Sequence, residues 1–130
     1  MARVEPSLWG NAPRVLAPTE MVIGSRKASA PQFATYRLKN DRSYRTKWRV
    51  RYRLAALPKP VLRKIGDFSK KVFRALQLRD YARLDFRLTD AGRLVFIEAN
   101  PNPDLTPHTL GRNLCFVGIE YRNLIPRIVE

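Results

Sequence analysis

The 130-residue chain predicts an α+β fold, an antiparallel β-sheet with helices packed against it. Three observations carry that expectation. The turn signal Thr89-Asp90-Ala91-Gly92 is flanked by two runs with the apolar alternation of strands. Between Pro60 and Leu76 apolar residues recur at helical spacing. The first 24 residues alternate short apolar runs with prolines and Gly10-Asn11. With 45% apolar and 28% charged residues, the chain has the composition of a globular protein, and residues 1–130 are expected to form a single domain.

Taken in order, residues 1–24 read as two short strands joined by a turn, with Pro6, Pro13 and Pro18 confining them to edges or ends. Residues 33–54 read as an amphipathic strand. Arg45, Lys47, Arg49, Arg51 and Arg53 fall on one side, with Tyr44, Trp48, Val50, Tyr52 and Leu54 on the other. Pro58-Lys59-Pro60 breaks that pattern. Val61, Leu62, Ile65, Phe68, Val72, Phe73 and Leu76 then predict a helix over residues 60–77, with Pro60 in its first turn. ARLDFRL and RLVFIEAN form the hairpin. Thr106 and Pro107 start a further helix that stops near Gly118, and Leu124, Ile125 and Ile128 mark a last short one.

The formal charge of +14 and a pI of about 10.9 imply attraction to phosphates, nucleic acid or acidic surfaces. Cys115 alone cannot form an intramolecular disulfide, and with His108 it is too few for a Cys/His zinc cage. No apolar stretch reaches the roughly 18 residues of a membrane span, and the N-terminus lacks the apolar core of a secretory signal. A cytoplasmic, reducing location without a membrane partner is the expectation. GxGxxG, GxxxxGK[ST] and GxSxG are all missing.

The hairpin holds the most informative constellation. With Asp90 and Ala91 as a two-residue turn, Arg83 falls opposite Glu98 and Asp85 opposite Phe96. That register places Arg83, Asp85, Glu98 and Asn100 on one face, and Leu84, Phe86, Leu88, Val95 and Ile97 on the other as a core face. Two carboxylates and a carboxamide oxygen are hard ligands that suit Mg²⁺ or Mn²⁺ completed by water and phosphates. An arginine beside them is suited to clamp a phosphate or carboxylate. The alternative for such a set is an ordinary cross-strand ion pair. The polar loop Asn100-Pro101-Asn102-Pro103-Asp104 lies at the strand end, where ligand sites commonly sit.

The segment YARLDFRLTDAGRLVFIEANPNPDLTPHTL resembles the carboxyl-terminal part of ATP-grasp ligases of the D-alanine:D-alanine ligase type. It follows that family's R-x-D strand, turn, hydrophobic strand, E-x-N and proline-containing loop leading to a helix. Upstream, Lys47 precedes Pro58 by eleven residues and then a helix, the spacing of the family's phosphate-binding lysine. LWGNAPRVLAPTEMV is similar to the strand pair that begins the family's last lobe.

The resemblance implies an ATP-dependent carboxylate–amine ligase with ATP as co-substrate and an amino-acid-like carboxylate and amine as substrates. Asp85, Glu98 and Asn100 would hold Mg²⁺ (or Mn²⁺) bridging the ATP phosphates, and Lys47 would touch those phosphates. Arg83 would stabilise the acyl-phosphate or tetrahedral intermediate, and Ile97 would pack against adenine. Thr109 and Leu110 would fall where the second amino acid's carboxylate is held. Pro103-Asp104 stands where these ligases commonly have Pro-Gly, and Thr109 where serine is usual. The family's upstream lobe and N-terminal domain are not in this sequence, so a missing lobe or second chain is an expected partner. The isolated chain is expected to be catalytically weak or inactive.

Outside that set, Arg45, Arg49, Arg51 and Arg53 read as solvated charge, His108 as a capping or packing residue and Cys115 as an inert buried thiol. The alternative function is a small basic nucleic-acid-binding module, favoured by the charge and the basic-aromatic strand but without a recognisable nucleic-acid motif.

Overall fold

Prolines divide the N-terminal segment into four strands rather than two: β1 (Ala2–Glu5), β2 (Ser7–Trp9), β3 (Arg14–Val15) and β4 (Thr19–Val22). Pro6, Pro13 and Pro18 each fall between strands, as expected of residues that cannot donate to a ladder. This computed structural model describes residues 2–10, 12–24, 31, 35–106 and 120–129. The helix expected over 107–118, with His108, Thr109, Leu110 and Cys115, lies outside them.

β1 and β2 run antiparallel to the long strand β6 (Tyr81–Leu88) in one unbroken register, Val4 opposite Phe86 and Ser7 opposite Arg83. Leu84 N donates to Pro6 O at 3.0 Å across the junction. The same register sets Glu5 opposite Asp85. On its other edge β6 pairs with β7 (Leu94–Asn100), while β4 continues from β1 to β5 (Arg51–Leu54). Among the described residues all seven strands join one antiparallel sheet, so the α+β architecture is the one the sequence predicts.

One face of the sheet is covered by α3 (Lys59–Ala75), close to its expected bounds and with proline in its first turn. Ile65, Ser69 and Phe73, four residues apart, are its buried positions. Phe73 meets Leu8, Ala82, Leu84 and Phe86 in one cluster, and Ile65 meets Val4 and Ala55 in the next. Phe86 anchors this core, stacked between Phe68 and Phe96 at centroid distances of 5.5 and 5.7 Å. Burying such a ring contributes about 1.5–3 kcal/mol.

The segment expected to be a strand over 33–54 is mostly helical. α1 (Tyr36–Asn40) and α2 (Arg42–Lys47) precede β5, the part of the described segment that stays a strand. Capping overrides the alternation here. The Thr35 hydroxyl accepts from Leu38 N at 3.2 Å, and the Asp41 carboxylate accepts from Tyr44 N at 2.9 Å. Tyr44 and Trp48 then meet edge-on at 6.0 Å, a helical i,i+4 pair. The cationic-aromatic strand face that favoured nucleic acid therefore does not form. Leu38 and Trp48 are buried against Met21, Ile23 and Val50, which places this helical pair on the sheet face opposite α3. The approach is close at Gly24, whose N donates to Trp48 O at 3.0 Å and where a Cβ would lie 2.8 Å from that of Arg49. A 3₁₀ turn (Tyr121–Asn123) and α4 (Leu124–Val129) supply the expected last helix, with Leu124 buried.

Candidate functional site

Strand alternation sends Val4, Leu8, Leu84 and Phe86 toward α3, so Arg3, Glu5, Ser7, Arg83 and Asp85 occupy the opposite face. β7 adds Glu98 directly opposite Asp85 and Asn100 directly opposite Arg83. The four hairpin residues expected on one face are there, but in another register. The turn spans three residues instead of two: Gly92 N donates to Thr89 O at 2.9 Å and Thr89 N to Arg93 O at 2.9 Å. Gly92, at φ 74°, supplies the left-handed residue that ends this type of turn.

A β-bulge accounts for the second shift. Phe86 pairs with Phe96 and Asp85 with Glu98, leaving Ile97 unpaired between them. Two residues apart, Phe96 and Glu98 would share a face in a regular strand. The bulge lets Phe96 enter the core while Glu98 joins Asp85. Consequently Val95 and Ile97, expected in the core, are 43% and 47% exposed, and Leu94, Phe96 and Ala99 pack there instead.

Asp85 is 1% exposed and held by two guanidiniums. Arg83 Nε donates to Oδ1 at 3.0 Å, and Arg3 donates to Oδ2. Arg3 Nε also lies 3.0 Å from Glu5 Oε1, and Glu5 is itself buried. Burial opposes the charge on Arg3, but Asp85 and Glu5 outweigh it and raise the guanidinium pKa. Tyr52 is shifted upward as well, first by burial and then by the Glu5 charge. Glu98, in contrast, is exposed. Asn100 Oδ1 accepts from Asn102 N at 3.0 Å, and Tyr81 donates its hydroxyl to Asn102 Oδ1 at 3.2 Å. Asp104 closes the loop by accepting from Thr106 N at 2.9 Å and Thr106 Oγ1 at 3.0 Å.

Lys47 lies at the end of α2, not on a strand, with Nζ 5.2 Å from the Trp48 ring centre. Beside it a basin of about 690 Å³ is lined by Lys39, Arg42, Arg45 and Arg49 together with Asn40, Thr46 and Val50. Sequence reasoning missed Arg3 and Glu5. The alternation of Arg3, Glu5 and Ser7 against Val4 and Leu8 was the available signal.

Among the described residues, no three His, Cys, Asp or Glu side chains gather around one point. The donor set is two carboxylates and a carboxamide, which fits a hard divalent cation in type and in shared face. Both Asp85 oxygens meet a guanidinium. No helix of the described residues is long and apolar enough to cross a membrane.

Comparison with known proteins places this hairpin in context. The family described as D-ala D-ala ligase C-terminus matches residues 3–130. The D-alanine--D-alanine ligase of Oleidesulfovibrio alaskensis is 40% identical over 77 residues, covering 58% of this chain and 25% of that protein. The enzyme of the same name from Lactobacillus helveticus is 26% identical over 128 residues, 98% of this chain and 34% of that protein. Among solved structures, D-alanine--D-alanine ligase from Bacillus anthracis superimposes with a TM-score of 0.75 at 22% identity, covering 98% of this chain and 38% of that one. Its complex with ATP gives 0.73 at 19% identity, with 98% and 36% coverage. The chain thus spans a quarter to a third of the length of these curated relatives. Because the match runs from β1 through the bulged hairpin to the last helix, this chain belongs to the D-alanine–D-alanine ligase C-terminal family of the ATP-grasp ligases.

Proposed function

We propose that this chain is the phosphate- and metal-binding part of an ATP-dependent carboxylate–amine ligase of the D-alanine–D-alanine ligase type. The observation that carries the reading is the opposition of Asp85 to Glu98 and of Arg83 to Asn100 on one sheet face. Family membership supports it, and the Bacillus anthracis relative with this fold is complexed with ATP.

Asp85, Glu98 and Asn100 would hold Mg²⁺ or Mn²⁺, which when bound neutralises phosphate charge in phosphoryl transfer. Arg83, part-buried and anchored on Asp85, presents a fixed cation on the same face, suited to an anionic acyl phosphate and the tetrahedral species formed when an amine attacks it. Ile97 offers an exposed apolar surface for an adenine ring. Lys47 would reach the phosphates from α2, with the cations of the neighbouring basin adding to the field that attracts them. Thr109 and Leu110, outside the described residues, would hold the second substrate's carboxylate. Residues 1–130 act as one domain, with a further lobe or second chain as its partner. A cytoplasmic location follows from the use of ATP and the lone cysteine.

Calorimetric titration of Mg·ATP into the wild type, Asp85→Asn and Glu98→Gln at moderate salt tests the reading. Binding that needs Mg²⁺ and disappears in both variants is expected. Salt-sensitive binding indifferent to either carboxylate would leave only nonspecific phosphate attraction and overturn it.

A further inference from the structure

Resting on the metal reading above, we infer that Arg3 is a built-in competitor for the divalent cation, occupying Asp85 when the metal is absent and shifting to Glu5 when it binds. Asp85 is 1% exposed, so water cannot offset its charge. A buried carboxylate needs an internal cation. Arg83 supplies one and Arg3, from a different strand, supplies the second.

Arg3 differs from Arg83 in having another acid within reach. Its Nε is 3.0 Å from Glu5 Oε1, and Glu5 shares the face of β1 that looks toward Asp85 across the β1–β6 register. A guanidinium released from Asp85 by an arriving cation therefore keeps a buried anionic partner. No charge is left uncompensated in either state. Arg3 and Asp85 side chains are both largely buried, 12% and 1% exposed, so the exchange occurs where charges are weakly screened. Displacing Arg3 then subtracts from the free energy of metal binding, and Arg3 sets the concentration at which the site fills. Arg3 is a positioning residue in this scheme: it acts on the metal through the Asp85 carboxylate, and it touches neither nucleotide nor substrate.

Manganese binding to the full 130-residue chain, read by loss of the free Mn²⁺ paramagnetic resonance signal, tests the inference without turnover. Arg3→Met keeps side-chain length and removes the competitor. It should bind Mn²⁺ on the order of ten-fold more tightly than wild type, the scale on which groups behind metal ligands act. Asp85→Asn abolishes binding in either background. Arg87→Met removes an equal charge from the position opposite Arg3 on β6 and should change affinity much less. Equal gains from Arg3→Met and Arg87→Met, or no gain from Arg3→Met, would overturn the inference while leaving an Asp85-dependent metal site in place. Should Arg3→Met not fold, Glu5→Gln decides. Depriving Arg3 of its second partner weakens Mn²⁺ binding, and unchanged or tighter binding overturns the exchange. Absence of Asp85-dependent binding in every protein overturns the metal reading itself, and the inference with it.

Discussion

Asp85 and Glu98 face each other across the β6–β7 ladder, yet Asp85 is buried between two guanidiniums and Glu98 is exposed. Their roles in stability and in binding therefore separate. Asp85→Asn strips Arg3 and Arg83 of their shared anion and should cost about 3 kcal/mol or more, the scale of a broken buried pair. Glu98→Gln should change stability by no more than about 0.5 kcal/mol, as surface substitutions do. Urea denaturation measures both. Mg²⁺-dependent nucleotide binding should fall in both variants, so Glu98→Gln is the cleaner probe of the site. Equal destabilisation by the two would contradict the burial difference.

Ile97 is the extra residue of the bulge, and its exposure separates its contribution from that of the core. Ile97→Thr keeps the β-branch and removes apolar surface. Its stability should stay within about 1 kcal/mol of wild type, since no large burial is lost. Affinity for Mg·ATP should drop several-fold while affinity for magnesium tripolyphosphate stays unchanged, because only the former has an adenine to pack. Parallel losses for both ligands would remove Ile97 from the adenine site.

Phe86 packs on Phe68 of α3 and Phe96 of β7 and has no exposed surface. Phe86→Ala should destabilise the chain by about 3–5 kcal/mol, combining lost transfer energy with the cavity left behind. The adjacent position on the strand is Asp85, so loosening here should also weaken metal-dependent binding. Chemical denaturation midpoints with and without Mg·ATP check the two effects together.

Faces were more legible in the sequence than registers, and the hairpin shows why. Alternation at Arg83, Asp85 and Leu84, Phe86 marks the faces of β6 without ambiguity. Nothing in the residue pattern of β7 announces a bulge, because Val95 and Ile97 are as apolar as Leu94 and Phe96; pairing with β6 decides which enter the core. The stretch from Tyr36 to Trp48 failed for another reason. Arginines and lysines at alternate positions imitate a strand, while Thr35 and Asp41 are good caps whose effect depends on three-residue spacing to Leu38 and Tyr44. The partners of Asp85 were least legible. Arg3 reaches it from 82 positions away, a distance that only the β1–β6 pairing closes.

Asp41 gives the α1–α2 junction a defined acid response. Its carboxylate accepts from Ser43 Oγ at 2.7 Å, from Tyr44 N at 2.9 Å and from Arg37 Nε at 3.3 Å. Ser43 contributes most, followed by the Tyr44 amide and then Arg37, and together they lower its pKa from 3.8 to about 2. All three bonds favour the charged form. A folded pKa below the unfolded one means that the stabilisation is fully present above about pH 4 and is lost as pH falls through about 2. Titration of the Asp41 carboxyl carbon by NMR should therefore give a midpoint near 2. Ser43→Ala should move the midpoint upward more than Arg37→Ala, because the hydroxyl bond is the larger cause and the guanidinium lies in solvent. Asp41→Asn should retain the cap and remove this pH response. Since α2 carries Lys47 and the basin cations Arg42 and Arg45, with the basin's Arg49 two residues past its end, an uncapped α2 should also bind anions less tightly near pH 2 than Asp41→Asn does. A wild-type midpoint near the ordinary 3.8 would mean that the cap does not form in solution.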